Sequence, residues 1–384
     1  MKITGIICEY NPLHLGHKKQ LELIRQDDPE GGIVCLMSGN YVQRGAPAVV
    51  DKMNRAEAAV RCGADLVLQL PTEASLCSAE GFASTGVAIL SPFCHRLCFG
   101  AEAENAPQLQ NIAKALLSPE FPEKLQTRLS MGNRSFPAAR QATLADMGVD
   151  AAALTKPNNI LAVEYFKAII AQKSAMEPMP ILRRGDYHDG APDPENPSAT
   201  SLRQRMYSGA DWASFVPAEA ADCLSGAVHH ISQGERAMLA RLRTMTDGEF
   251  EALPYGSEGL WRKLMHASRS KATLEEILDA VKSKRYTRTR LDRMVMCAFL
   301  GISEEMLSAQ APYIRVLAFN DKGRQILKEA RKYGEFINVG EVTDHPYQLL
   351  EDRWGDLYGL FAERPEAPGT ERNYRVYYKK NGEG

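Results

Sequence analysis

The chain has 384 residues, of which 44% are hydrophobic and 24% charged, and its formal net charge is −2. This composition excludes a disordered chain and a protein whose whole surface grips nucleic acid. The length exceeds what one hydrophobic core usually supports, so we expect two or more packed units.

The apolar run after Met1 is too short for a signal peptide, and no run approaches the roughly 20 residues needed to span a bilayer. We therefore expect a cytoplasmic protein without a membrane partner. The eight cysteines lie mostly in apolar runs and are expected to be reduced and structural. Cys94, His95 and Cys98 lack a second ligand pair at zinc spacing, so no metal site is expected.

Short apolar runs alternate with amphipathic stretches in the first half of the chain. The runs that predict strands are 3–9, 32–37, 65–70, 96–100 and 180–183. The stretches with helical spacing are 18–25, 55–62, 78–90, 106–116, 136–147 and 159–172. This order predicts an α/β fold, with a Rossmann-like domain whose parallel sheet binds its ligand at the carboxyl ends of the strands.

Helical patterns dominate the second half, and strand runs disappear after about residue 203. The helical stretches are 234–244, 259–269, 273–281 and 288–299, and a loop rich in Asp, Pro and Gly at 186–198 precedes them. We predict three units: an ATP-binding domain at 1–205, a mainly α-helical domain at 206–310, and a small C-terminal unit at 311–384. The polar tail from 365 onward is expected to fray.

The segment from Gly5 to Lys18 is a strand, an Asn-Pro turn and a His-x-Gly-His motif that opens a helix. His14 and His17 can donate to phosphate oxygens as a pyrophosphate leaving group gains charge, helped by the helix N-terminus and by Lys18 or Lys19. Gly16 leaves room for the adenine or ribose. This pattern predicts attack on the α-phosphate of ATP. The alternative is that the histidines only form the turn and cap the helix.

A second candidate phosphate site follows the loop at 186–198. Ser198 and Thr200 start a helix and can bind phosphate or merely cap it, and Arg203 lies one turn further on. The loops at 37–45 and 99–102 also follow strands and should face the nucleotide, with Gly100 allowing close approach. Asn158 and Asn159 can cap their helix or hydrogen-bond the adenine or ribose. Arg183 and Arg184 can neutralise phosphate or lie solvated at the rim of the site.

The segment 282–293 holds six basic residues and one acid in a slightly acidic chain. A solvated helix face is one interpretation. RNA binding is the interpretation we favour, because the excess charge is of one sign, Tyr286 is available to stack on a base, and the threonines can reach phosphates. The residues assigned to RNA binding are Lys282, Lys284, Arg285, Tyr286, Arg288, Arg290 and Arg293.

Taken together, these motifs resemble the bacterial tRNA(Met) cytidine acetate ligases, which are nucleotidyltransferase-like proteins with a His-x-Gly-His motif. The resemblance is carried by residues 7–12, 14–17, 37–45, 63–67, 99–102, 157–161 and 284–291. It therefore covers most of the chain. Leu15, Ala101 and Ala162 depart from the residues that are usual in that family.

The resemblance implies a two-step reaction: acetate and ATP give acetyladenylate and pyrophosphate, and the acetyl group then passes to N4 of the wobble cytidine of elongator tRNA(Met). It implies tRNA and acetate as partners, neither DNA nor a membrane, and Mg²⁺ that arrives with ATP. The implied ATP site comprises Ile7, Cys8, Glu9, Tyr10, Asn11, Pro12, Leu13, His14, Leu15, Gly16, His17, Lys18, Lys19, Gln20, Gly100, Asn158 and Arg183, with Arg184 as the alternative to Arg183.

Two other functions remain compatible with the sequence. The first domain would also suit an enzyme that joins AMP or CMP to a phosphorylated small molecule. A protein that senses ATP and binds RNA without catalysis is the non-enzymatic alternative.

Overall fold

The computed structural model describes residues 1–103, 106–130, 136–182, 197–283 and 286–380. Within these residues an eight-stranded sheet and a two-stranded ribbon are formed. The strands are β1 (Ile3–Cys8), β2 (Gly32–Ser38), β3 (Tyr41–Val42), β4 (Ala46–Pro47), β5 (Leu66–Leu70), β6 (Arg96–Ala101), β7 (Glu177–Leu182), β8 (Ile314–Asn320), β9 (Phe336–Asn338) and β10 (Tyr377–Lys379). β3 and β4 form the ribbon.

Helices cover both faces of the sheet. In chain order they are α1 (Leu15–Asp27), α2 (Lys52–Arg61), α3 (Thr72–Ser75), α4 (Ala79–Leu90), α5 (Ala106–Leu116), α6 (Glu120–Ser130), α7 (Phe136–Asp146), α8 (Pro157–Ala171), α9 (Ala199–Ser208), α10 (Glu235–Thr244), α11 (Asp247–Glu251), α12 (Leu260–Ser268), α13 (Leu274–Val281), α14 (Arg288–Leu300), α15 (Glu304–Ser308), α16 (Asp321–Ala330), α17 (Tyr347–Tyr358) and α18 (Thr370–Asn373). None of the described helices is both long and apolar enough to cross a membrane.

Side chains alternate between the two faces of the central strands, so a separate hydrophobic core forms on each face of the sheet. In β1, Ile3 and Ile7 pack with α4, α5, α8 and α16, whereas Ile6 packs with α1 and α2 on the opposite face. The strand order is β10-β8-β5-β2-β1-β6-β7, and the strands from β5 to β7 are all parallel. The chain builds outward from β1 to β5 and then crosses to β6, so the strand order reverses between β1 and β6. Ligands bind at such a reversal.

The α/β prediction is confirmed, and the expected strands and helices of the first half are present with ends shifted by a few residues. The expectation that strands end after about residue 203 is wrong. β8 joins the sheet antiparallel to β5, and β9 and β10 pair parallel to β8. The division into 1–205, 206–310 and 311–384 stays a prediction, but its last segment shares the sheet with its first.

A second core is built from α10 to α14 and α17. Two N-terminal residues lie in it, Tyr41 and Leu76. The Tyr41 hydroxyl donates to the carbonyl of Trp354 at 2.8 Å. At Gly45, φ is +76° and an added Cβ would lie 2.4 Å from the backbone nitrogen of Arg293. The loop after β2 is therefore pressed directly against α14.

The tail is packed rather than frayed as far as the structure describes it, which corrects the expectation for residues 365–380. Glu371 in α18 is buried, and Lys52 in α2 donates to it at 2.6 Å. Burial raises the pKa of Glu371, and the Lys52 ammonium acts against that rise. The pair anchors the tail because neither charge can be left alone in a dry interior.

Replacing Lys52 by Met should lower the free energy of unfolding by about 3–5 kcal/mol, because the Glu371 carboxylate would stay buried without its cation. The measurement is urea unfolding at pH 7. The matched control is the double variant Lys52→Met/Glu371→Leu, which removes both charges and should recover most of the loss. A single variant within 1 kcal/mol of the wild type would contradict this account.

Glu73 provides a separate, pH-dependent contribution. It is buried in α3, its carboxylate accepts from the Tyr347 hydroxyl at 2.8 and 2.9 Å, and burial raises its pKa from 4.5 to about 7. Between these two pH values the folded chain holds a proton that the unfolded chain has released. Stability therefore falls as the pH rises through this window, by up to about 3 kcal/mol.

Glu73→Gln should remove that loss, because glutamine does not ionise and still offers Tyr347 an acceptor. We expect the variant to gain stability relative to the wild type between pH 5 and pH 8. Unfolding measured at both pH values checks this. A stability difference that is the same at pH 5 and pH 8 would show that Glu73 is already ionised in the fold.

Candidate active site

A cavity of about 1110 Å³ opens where the strand order reverses. Its wall is built from the end of β1, the start of α1, the loop before β4, β6, and the starts of α8, α9 and α14. The cavity thus extends from the sheet to the helical region. The carboxyl ends of the strands are where the sequence predicts the ligand.

The histidine motif forms the N-terminus of α1. His14 is the N-cap residue and 1% exposed, and its ring stacks on that of His17 with centroids 3.7 Å apart. The backbone N–H of His14 donates to Nδ1 of His17 at 3.3 Å. This bond places the proton of a neutral His17 ring on Nε2, which leaves that nitrogen as a donor.

The capping interpretation of the histidines is confirmed, and the phosphate-binding interpretation stays a prediction. His14 and His17 cap the helix, and both rings also line the cavity. A glycine at position 16 also leaves space for the His14 ring, because an added Cβ would lie 3.1 Å from Cε1 of His14. A side chain at position 16 would require the His14 ring to shift by a few tenths of an ångström.

The turn before the motif is held on two sides. Asn11 accepts the Val49 N–H on its side-chain oxygen at 2.7 Å, and its backbone carbonyl accepts from Nη1 of Arg203, also at 2.7 Å. Arg203 donates through Nη2 to Thr200, and Ser198 caps α9 by accepting the N–H of Ser201. The two candidate phosphate segments are brought together, and Ser198 and Arg203 line the cavity.

The lysines of α1 separate into two roles. Lys18 pairs with Glu219 and Glu22, and it is not among the residues lining the cavity. Lys19 lines it. Of the segment from Ile7 to Gln20, the residues that form the wall are Ile7, Cys8, Glu9, Tyr10, Asn11, His14, Gly16, His17, Lys19 and Gln20; Pro12, Leu13 and Leu15 pack behind it or beside it.

Gly100 and Asn158 line the cavity, and their contact with the nucleotide stays a prediction. Asn158 donates to Oε1 of Glu102 at 2.8 Å. Asn159 is buried and accepts the N–H groups of Glu102 and Ala103, so it holds the loop after β6 in place. Arg183 and Arg184 lie outside the described residues.

Several wall residues were not singled out from the sequence. Arg140 in α7 lines the cavity, as do Gln43, Arg44 and Tyr165. Nε of Arg140, Nε of Arg293 and Nε2 of Gln43 are buried without a hydrogen-bond partner among the described residues. Burial lowers the pKa of Arg140. A lone arginine within a helix carries no motif, whereas Gln43 and Arg44 belong to a loop that was expected to face the ligand.

The basic segment is only partly exposed, and Tyr286 is the clearest correction. Its ring is 4% exposed within the helical core, so it is not available to stack on a base. Arg288 is paired with Glu275 and Asp292, and Arg290 donates to the Tyr255 carbonyl. Arg293 lines the cavity together with Thr287 and Thr289. Lys282 is exposed, and Lys284 and Arg285 lie outside the described residues.

The wall is rich in cations and donors, as a polyphosphate site requires. Its described basic residues are His14, His17, Lys19, Arg44, Arg140, Arg203 and Arg293. In the described part of the chain, no three His, Cys, Asp or Glu side chains come close enough together to hold a metal ion.

Comparison with known proteins gives a consistent picture. A family model described as HIGH Nucleotidyl Transferase matches residues 1–367. The chain is 35% identical over 352 residues to the tRNA(Met) cytidine acetate ligase of Clostridium novyi (strain NT), across 86% of this chain and 88% of that one. With that of Syntrophotalea carbinolica it shares 36% identity over 372 residues, across 92% and 88% of the two chains.

A solved structure is similar as well. The crystal structure of Thermotoga maritima TmcAL bound with alpha-thio ATP superposes with a TM-score of 0.87 at 28% identity, covering 99% of this chain and all of that one. The apo form of that protein gives a TM-score of 0.89 over the same share of each chain.

Proposed function

The chain belongs to the tRNA(Met) cytidine acetate ligase family, and we propose that its ATP-dependent ligation of acetate to a cytidine of tRNA(Met) runs in two steps within one cavity. In the first step, acetate attacks the α-phosphate of ATP to give acetyladenylate and pyrophosphate. In the second, N4 of the wobble cytidine of elongator tRNA(Met) attacks the acetyl carbonyl, and AMP leaves. We place the reaction in the cytoplasm, with neither DNA nor a membrane as a partner.

The continuity of the cavity carries this proposal. The histidine motif lies at its β1 end and Thr287, Thr289 and Arg293 at its α14 end, and Lys19, Arg44, Arg140 and Arg203 line the same cavity. We assign ATP to the first end and the tRNA to the second. Each of the two alternatives leaves one part of the cavity without a role. Adenylylation of a phosphorylated small molecule gives none to the α14 end, and ATP sensing without catalysis gives none to the histidine pair.

The β1 end has the groups that the first step needs. Nε2 of His17 can donate to an oxygen between the α- and β-phosphates as charge develops there, and His14 fixes the ring from below. Lys19, Arg140 and Arg203 can neutralise the phosphates, with Ser198 beside them and with Arg183 or Arg184 as a further cation.

We propose that Mg²⁺ enters with ATP. Glu9 is the only carboxylate on the described wall, so a hard cation would find most of its ligands among phosphate oxygens and water. The ion would neutralise charge on the leaving pyrophosphate.

At the α14 end we propose that Arg44, Arg293 and the exposed Lys282 bind RNA phosphates, together with Lys284 and Arg285. Arg44 is exposed and makes no ion pair with the described residues. Arg293 is partly buried and also makes no ion pair with them, and its guanidinium lies over the Tyr255 ring at 5.0 Å. Arg288 contributes less, because Glu275 and Asp292 already neutralise it.

Replacing His14 or His17 by Ala should lower acetate-dependent pyrophosphate release by roughly 10²–10³, the effect of losing one preorganised donor to a developing charge. ATP affinity should fall less, because the donors matter most in the transition state. His266→Ala is the matched control, since His266 is exposed on α12 and outside the cavity wall. Turnover close to the wild type in both motif variants would restrict the histidines to their capping role.

Replacing Arg44 and Arg293 together by Ala should weaken tRNA binding and flatten its salt dependence, with the slope reduced by about 0.7–0.9 per lost phosphate contact. Pyrophosphate release without tRNA is the measurement that tests whether the adenylation site survives. Lys328→Ala removes one exposed charge from α16, away from the cavity wall, and should leave the slope as it is. An unaltered slope in the double variant would place the RNA site elsewhere.

A further inference from the structure

Glu9 carries a negative charge in a cavity whose wall is otherwise basic. Every other charged residue on the described wall is basic, and Glu9 is the one described acid among them. A carboxylate repels both a triphosphate and acetate, so it works against the first step of the reaction. Its presence there calls for a substrate group that a carboxylate attracts.

Backbone contacts fix where Glu9 lies. Its carbonyl accepts from Nη1 of the buried Arg55 at 2.6 Å, which holds the end of β1. Its Oε1 accepts the N–H of Gln43 at 2.8 Å. Gln43 precedes Arg44 and Gly45 in the loop that packs on α14. Glu9 therefore lies at the junction between the histidine motif and the end of the cavity nearest to α14.

The carboxylate is held without being neutralised. Among the described residues no lysine, arginine or histidine lies within ion-pair distance of the Glu9 carboxylate, and its side chain accepts one hydrogen bond, from the neutral backbone N–H of Gln43 at Oε1. The second oxygen, Oε2, accepts no hydrogen bond from the described residues. Oε2 can therefore accept a hydrogen bond from a ligand that enters between the nucleotide and α14.

We propose that Glu9 binds the exocyclic amine of the cytidine and accepts its proton during acetyl transfer; the proposal rests on the function proposed above. Acidic side chains recognise cytosine through a hydrogen bond from N4. Uracil offers a carbonyl oxygen at the same position and would be repelled. One residue would therefore select cytidine and support its reaction.

The acetyl transfer needs only the cytidine, the acetyladenylate and the Glu9 carboxylate. N4 forms a bond to the acetyl carbon, and the bond from that carbon to the phosphate oxygen of AMP breaks. AMP leaves with the electron pair, and the proton lost by N4 passes to Oε2 of Glu9 and then to water. The amine of cytidine is a weak nucleophile, so removal of its proton as the bond forms is where a positioned base helps.

Glu9→Gln is the central variant, because glutamine keeps an oxygen for the Gln43 N–H but cannot take a proton. Two acceptors are compared at saturating acetate and ATP: tRNA at saturating concentration, and hydroxylamine, which attacks acetyladenylate without help from a base and gives acetohydroxamate. We expect acetylation of tRNA to fall by about 10² or more. That loss should exceed the loss in acetohydroxamate formation at least tenfold.

Two variants complete the comparison. Glu9→Asp keeps a base one methylene shorter and should recover part of the tRNA acetylation. Glu22→Gln removes an exposed carboxylate of α1 that lies outside the cavity wall and should leave the ratio of the two products as in the wild type. Urea unfolding of each variant shows whether the fold is intact.

Equal losses with both acceptors in a folded Glu9→Gln variant would overturn the proposal, because the residue would then act on ATP. A higher Mg²⁺ requirement for both reactions would overturn it in favour of a metal ligand, and so would wild-type acetylation of tRNA. A wild-type protein that forms no acetohydroxamate from acetate and ATP would instead reject the proposed function itself.

Discussion

The site depends on one buried cation, Arg55. Its guanidinium is fully buried in α2 and donates to four carbonyls, those of Glu9 at the end of β1, Ser38 and Gly39 at the end of β2, and Val50 before α2. Burial lowers the pKa of Arg55. Such a charge is tolerated because carbonyl dipoles surround it, and these carbonyls would otherwise lack partners where the strands end. The spacing between β1 and the next loop, and hence the position of Glu9 and Gln43, follows from this contact.

The C-terminal segment shows the same use of buried charge at longer range. Arg315 in β8 pairs with Glu351 at 2.7 Å, and both are about 95% buried. The Lys52–Glu371 contact joins residues 319 positions apart. Pairs of this kind contribute little net stability relative to apolar residues, but they penalise any arrangement in which one partner is misplaced. They therefore hold α17 against β8 and α18 against α2.

Local pattern was sufficient for the first half of the fold and for the position of the histidine motif. β1, the Asn-Pro turn and the histidines are neighbours in sequence, so a local pattern predicts that they lie together at the end of a strand, where the cavity opens. β8 was missed because Arg315 interrupts its apolar run, and only the distant Glu351 explains a buried arginine there. The exposure assigned to Tyr286 failed for a similar reason: a tyrosine in a basic stretch looks solvated until the packing of α12 to α14 is known. Arg140 reaches the cavity through tertiary structure alone.

The cavity wall combines β1, the loop ending at Gly45, and α14, and the absence of space for a Cβ at Gly45 shows how closely loop and helix meet. The N-terminal part of such a chain cannot be separated from its helical part without loss of part of the cavity. If the segment that carries the histidine motif were cut away from the helices that follow it, the cavity would lose the part of its wall that α14 supplies, and a foreign helical segment would have to reproduce the contact at Gly45 to restore it. Diversification by exchange of whole domains is therefore closed to this architecture, and a change of substrate has to come from single residues that face the shared cavity.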